Sequence, residues 1–106
     1  MRTIVDHLRA AGIVCKKLTP IPPKELSSRK KVAIYLGVDT DGYYCSVWHL
    51  SKKSRVLRKE AEELFTLHAR LERHADTRIT RNYIRIDAPL CSKAKTLMET
   101  KGWTFL

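Results

Sequence analysis

The sequence predicts a single α+β domain with a mixed sheet: a hairpin, α-β-α-β crossovers after it, and an N-terminal helix ahead of it. Three observations predict it. Two β-rich runs flank an Asp-Gly turn, an amphipathic stretch of helical period follows, and a further strand-helix-strand series closes the chain. The 106 residues suit one domain, residues 1–106, and 43 % hydrophobic content suits an ordinary core.

Residues 2–11 read as a short helix. Ile4, Val5, Leu8 and Ala11 share a face, and Gly12 supplies the stop. Ile13-Val14-Cys15 reads as a brief strand. Residues 19–31 read as a linker: Pro20, Pro22 and Pro23 oppose a helix or a central strand, and Ser27 to Lys31 is polar and basic.

Val32 to Asp39 and Tyr43 to Leu50 read as the hairpin, with Asp41-Gly42 as a two-residue loop. That loop opposes Thr40 to Tyr43, Leu36 to Val47 and Tyr35 to Trp48. Val32, Ile34, Leu36, Val38, Cys45 and Val47 then form the core face. Tyr35, Tyr44 and Trp48 fall together on the other, as a base-stacking platform or a second small core.

A helix is expected over about 54–75, with Ser54 as N-cap. Its stripe is Leu57, Ala61, Leu64, His68, Leu71 and Ala75. Arg78 to Asp87 reads as a strand with Ile84 and Ile86 on one side and Arg81, Tyr83 and Arg85 on the other. A second helix starts near Pro89, turns Leu90, Ala94, Leu97 and Met98 inward, and ends at Gly102. Trp103 to Leu106 closes as a short strand. The expected total is about three helices and four to five strands.

Charge is the outlying feature. Lys and Arg number 21 against 11 Asp and Glu, a formal net of +10. Such a field attracts polyanions, nucleic acid first among them. The reading is a small nucleic-acid-binding protein acting through phosphate contacts, on DNA or RNA. An inhibitor or accessory subunit docking on an acidic protein is the alternative, and a Mg²⁺-dependent nuclease the third.

Two clusters carry the nucleic-acid reading. Lys52, Lys53, Arg55, Arg58 and Lys59 crowd the start of the long helix, where the dipole disfavours cations. Free amides among cations make a phosphate site. Arg81, Tyr83 and Arg85 alternate on one strand face, where Arg bonds phosphate and Tyr stacks.

The nuclease reading rests on Asp39 and Asp41, two carboxylates near a strand end, with Glu25, Glu60 and Asp87 as further acids. Simple turn chemistry is the favoured reading of the pair, and nothing in the spacing requires the further acids as ligands. His68 lies in an apolar stripe and reads as a hydrogen-bonded core histidine. No nucleophile elbow, nucleotide-cradling glycine loop or paired cysteine base is recognisable, so the sequence lends an enzyme little support. No cofactor or metal is expected.

Cys15, Cys45 and Cys91 lie apart, without zinc spacing, and read as thiols in a reducing compartment. Arg2, Asp6, His7 and Arg9 interrupt any apolar leader, and no run approaches a membrane span. The expected location is the cytoplasm.

Overall fold

The computed structural model describes residues 4–28 and 30–106. Residues 2 and 3 of the expected first helix, and Arg29 of the expected linker, lie outside the described residues. The elements are α1 (Ile4–Ala10), β1 (Cys15–Pro20), a 3₁₀ turn (Pro23–Leu26), β2 (Ala33–Asp39), β3 (Tyr44–Ser51), α2 (Arg58–Ala75), β4 (Arg81–Asp87), α3 (Ser92–Thr100) and β5 (Trp103–Phe105). The sheet order is β1-β2-β3-β4-β5. β1, β2 and β3 run antiparallel; β4 and β5 join parallel to β3 and β4. The expected α+β class with a mixed sheet stands.

Helices cover both faces. Ala61, Leu64, Leu67 and Leu71 of α2, with Ala94 and Met98 of α3, pack on Ile34, Trp48, Leu50 and Ile84. On the opposite face Ile4 and Leu8 of α1 pack on Val47, flanked by Cys15, Tyr35 and Tyr83. Gly12 at φ +73° ends α1 and Gly102 at φ +84° follows α3, both as expected.

The hairpin register differs from expectation by one residue. Ile34 opposes Trp48, Leu36 opposes Ser46 and Gly37 opposes Cys45. The loop has three residues, Thr40 to Gly42, because the Asp39 amide bonds the Tyr43 carbonyl at 2.9 Å. The Asp39 carboxylate also accepts the Asp41 and Tyr43 amides, each at 2.9 Å. Gly42 takes the left-handed conformation at φ +87°. A period of two turns a slip of one into a change of face. Trp48 therefore lies in the α2 core and is fully buried, while Cys45 and Val47 face α1. The expected Tyr35, Tyr44 and Trp48 cluster does not form. Tyr35 packs towards α1 and Tyr44 is exposed. Of the expected Leu36 and Val47 pair, Val47 is fully buried and Leu36 half-buried.

Element boundaries also move, the start of β4 from Arg78 to Arg81 among them. The first strand begins at Cys15 and runs into Pro20; an edge strand tolerates proline because one side needs no ladder donor. The remaining expected linker is tied down. Ile21 and Leu26 enter the core, and Arg70 donates to the Leu26 and Ser27 carbonyls at 3.2 Å. The long helix starts at Arg58, not near Ser54, and its N-cap is Leu57. Residues before it stay extended because Val56 bridges to Leu90. The same bridge delays α3, which starts at Ser92 instead of near Pro89. Leu57 is consequently exposed, and Leu67 takes its place in the stripe.

Ser46 and Asn82, opposite each other on β3 and β4, are buried polar residues that satisfy one another. Trp48 Nε1 donates to Ser46 Oγ at 2.7 Å. His68 is half-buried; its Nε2 donates to the Ile79 carbonyl at 3.0 Å, as expected for a core histidine.

Candidate nucleic-acid interface

The Val56–Leu90 bridge builds the main basic site. Val56 donates to the Pro89 carbonyl at 2.8 Å and its own carbonyl accepts the Cys91 amide at 3.0 Å. The starts of α2 and α3 are therefore held side by side, at the end of the sheet where β3 and β4 finish. Lys53, Arg55, Arg58 and Lys59 arrive from one segment and Lys93 from the other. Arg58 and Lys93, with Ser92, Thr96 and Thr100, line a shallow depression of about 360 Å³.

Two of the five expected cations are partly neutralised. Lys52 bonds Glu60 at 2.6 Å and Arg58 reaches Glu62 at 3.4 Å. Lys53, Arg55, Lys59 and Lys93 make no ion pair among the described residues. The local potential registers on Cys91. The amides of Ala94 and Lys93, then the charges of Arg55 and Lys93, hold its thiol below the ordinary value. The α2 first turn begins at Arg58, and its Glu60 amide already bonds the Leu57 carbonyl at 3.0 Å, which leaves the Arg58 and Lys59 amides ahead of the intrahelical ladder. Lys93 was missed by sequence reading because only strand-like pairing brings it to Arg55.

Arg81, Tyr83 and Arg85 share one face of β4, as expected, but that face is the one α1 covers. Arg81 pairs with Asp39 at 2.6 Å and stacks over the Tyr43 ring at 5.6 Å. Tyr83 is half-buried beside Ile4 and Leu8, and burial raises its pKa. Arg85 bonds Asp87 at 2.9 Å and the Leu106 carbonyl at 3.2 Å. Asp87 also meets His49 at 2.6 Å, and these bonds lower its pKa, His49 contributing most. Arg81 begins β4, roughly 20 Å of strand from its far end, whereas Arg85 lies two residues before Asp87, whose carbonyl accepts the Lys52 amide at 3.4 Å.

The acids proposed for a metal are dispersed. Asp39 is neutralised by Arg81 and by two turn amides, while Asp41 is exposed in the turn. Glu60 is held by Lys30 and Lys52, Glu25 lies by His74, and Asp87 by His49. Among the described residues no three acids, histidines or cysteines gather with metal-ligand geometry.

A five-stranded mixed sheet with helices on both faces and a basic end defines the class of fold. Neither a protein-family model nor a curated protein sequence matches the chain. Its fold is similar to that of EndoMS in its apo form: TM-score 0.53, 18 % identity, covering 99 % of this chain and 45 % of that one. It is similar to a repair endonuclease from Pyrococcus abyssi, with TM-score 0.51 and 17 % identity over 96 % of this chain and 39 % of that one. EndoMS in a double-stranded DNA complex gives TM-score 0.50 and 20 % identity over 96 % of this chain and 41 % of that one. The chain thus spans less than half the length of each. At these identities the likeness is one of fold. No helix of the described residues is long and apolar enough to cross a membrane.

Proposed function

We propose that this chain is a DNA-binding domain that grips the duplex backbone through Lys53, Arg55, Arg58, Lys59 and Lys93, without metal-dependent cleavage at Asp39. The observation that carries this reading is the junction of the α2 and α3 starts, where the Val56–Leu90 bridge brings cations from two segments together at two helix N-termini. The net charge of +10 supports it. So does the similarity of fold to a repair endonuclease and to EndoMS, the latter seen with double-stranded DNA. Lys52 contributes charge at the rim. Arg81, Tyr83 and Arg85 are secondary, because Arg81 is held by the largely buried Asp39, Arg85 by Asp87 and the Leu106 carbonyl, and Tyr83 is half-buried against α1. Nothing in the geometry favours an acidic protein partner over nucleic acid.

The test is a salt titration of binding to a mixed-sequence DNA duplex. Replacing Arg55 and Arg58 by Gln removes two cations with little change in helix propensity. Folding stability should hold. Affinity should fall uniformly across sequences, and the slope of log affinity against log salt should shrink by about one to two units. Lys93→Gln should add a further reduction of about one unit. Parental affinity and slope in the triple variant would refute the site.

A further inference from the structure

The two cysteines on the α1 face are far apart in the chain and adjacent in space. Cys15 begins β1 and Cys45 lies early in β3, with β2 between them. The sulfurs meet across this intervening strand at 2.9 Å. Gly37 leaves β1 room to lie close over β2 beside them: a Cβ there would come within 2.9 Å of the Lys16 carbonyl oxygen. Gly37 opposes Cys45, and that Cβ would come within 3.5 Å of the Cys45 sulfur. Cys45 is fully buried, whereas Cys15 is half-exposed on an apolar groove of about 460 Å³ between α1 and β1. The groove admits a small molecule to one thiol only.

We infer that Cys15 and Cys45 form a reversible disulfide site, oxidised by a small hydroperoxide that enters at Cys15. The chemistry assigns the thiols different roles. Cys45 donates its S–H to Cys15, which favours the Cys15 thiolate; donation and burial keep Cys45 protonated. The Cys15 thiolate attacks the outer peroxide oxygen. An S–O bond forms, the O–O bond breaks and the alcohol, or water, leaves with a proton. The Cys45 sulfur then attacks the Cys15 sulfenic acid. The S–S bond forms, the S–O bond breaks, and the hydroxide leaves as water with the Cys45 proton. Two thiols and one hydroperoxide give one disulfide, one alcohol and one water. Closure needs the sulfurs to approach by somewhat under about 1 Å and, because β2 lies between the two strands, the β1 backbone to draw in over it as well. β1 is the strand able to yield. It is an edge strand, Lys17 has φ +54°, and its register shifts between Lys16 and Thr19.

The test uses the full chain carrying Cys91→Ser. Cys91 lies at the α3 N-cap, where serine is a preferred residue, so this change leaves the helix intact and removes the third thiol. The chain is treated with hydrogen peroxide, alkylated under denaturing conditions and mapped by mass spectrometry. The expected product is a monomer in which the Cys15 and Cys45 peptides are joined, lighter by two hydrogens and restored by dithiothreitol. Both thiols should be lost together, and faster in the native chain than in guanidinium by at least about tenfold. With Cys45→Ser added, Cys15 should accumulate as a sulfenic acid trapped by dimedone. With Cys15→Ser added, Cys45 should stay reduced at the same dose. The inference fails if Cys15 proceeds to the sulfinic acid while Cys45 remains free. It also fails if the link forms only between chains, or equally fast when unfolded.

Discussion

The Asp39 carboxylate meets the Arg81 guanidinium at 2.6 Å, joining the end of β2 to the start of β4. Asp39 is largely buried and Arg81 is half-exposed, so the acid holds the base, and the base is the side chain with freedom to move. One contact therefore lowers the claim of Asp39 to a metal and the claim of Arg81 to a phosphate.

Asp39→Asn separates these effects. Asparagine keeps an acceptor for the turn amides but loses the ion pair. Stability should fall by about 0.5–1.5 kcal/mol in a urea titration. Arg81 is then released, and duplex affinity should rise with a salt slope steeper by up to about one unit. A fall in affinity would show that the carboxylate itself serves binding.

Gly37→Ala tests the close approach of β1 to β2. The added Cβ would meet the Lys16 carbonyl and Leu18 Cδ2, each at 2.9 Å. Leucine can rotate away, but a backbone oxygen in the strand can move only with β1. The expected cost is about 1–3 kcal/mol by urea denaturation. A neutral result would mean that β1 is loosely held there.

Leu64→Ala tests the α2 core. Leu64 is fully buried among α2, α3 and the sheet. Lost burial plus a cavity should cost roughly 2–5 kcal/mol, measured as a lower denaturation midpoint at unchanged slope. Leu57→Ala, at an exposed N-cap, should change stability by less than about 0.5 kcal/mol.

Glu60 predicts an acid-sensitive fold. Burial pushes its carboxyl upward, but the bonds from Lys30 and Lys52 outweigh burial and hold it below the usual carboxylate range. A lowered folded pKa gives stability that is complete above the unfolded value, about 4.3, and is lost as pH falls through the folded value. Lys30 has the opposite sign. Burial lowers its pKa, yet Glu60 and Glu63 raise it overall. Its contribution is complete below about 10.4 and is lost as pH rises through the folded value. Glu60→Gln should cost about 1–2 kcal/mol at pH 7 and flatten the decline below pH 4.3 in denaturant titrations across pH.

The sequence by itself determined the α+β class, the glycine stops at 12 and 102, the apolar stripe centred on Leu64 and the alternation of β4. Each is local, because periodicity and backbone freedom are written in neighbouring residues. Only the tertiary structure decided which hairpin face meets which helix. Both faces are covered, so apolar residues occur on both and alternation could not choose the register; the bonds of Asp39 inside its own turn did. The same limit applies to the sites. Lys52 to Lys59 was legible as a run of like charge. The placing of Lys93 beside Arg55, of Asp39 on Arg81 and of Cys15 on Cys45 depends on strand neighbours distant in sequence, and no local pattern carries that pairing.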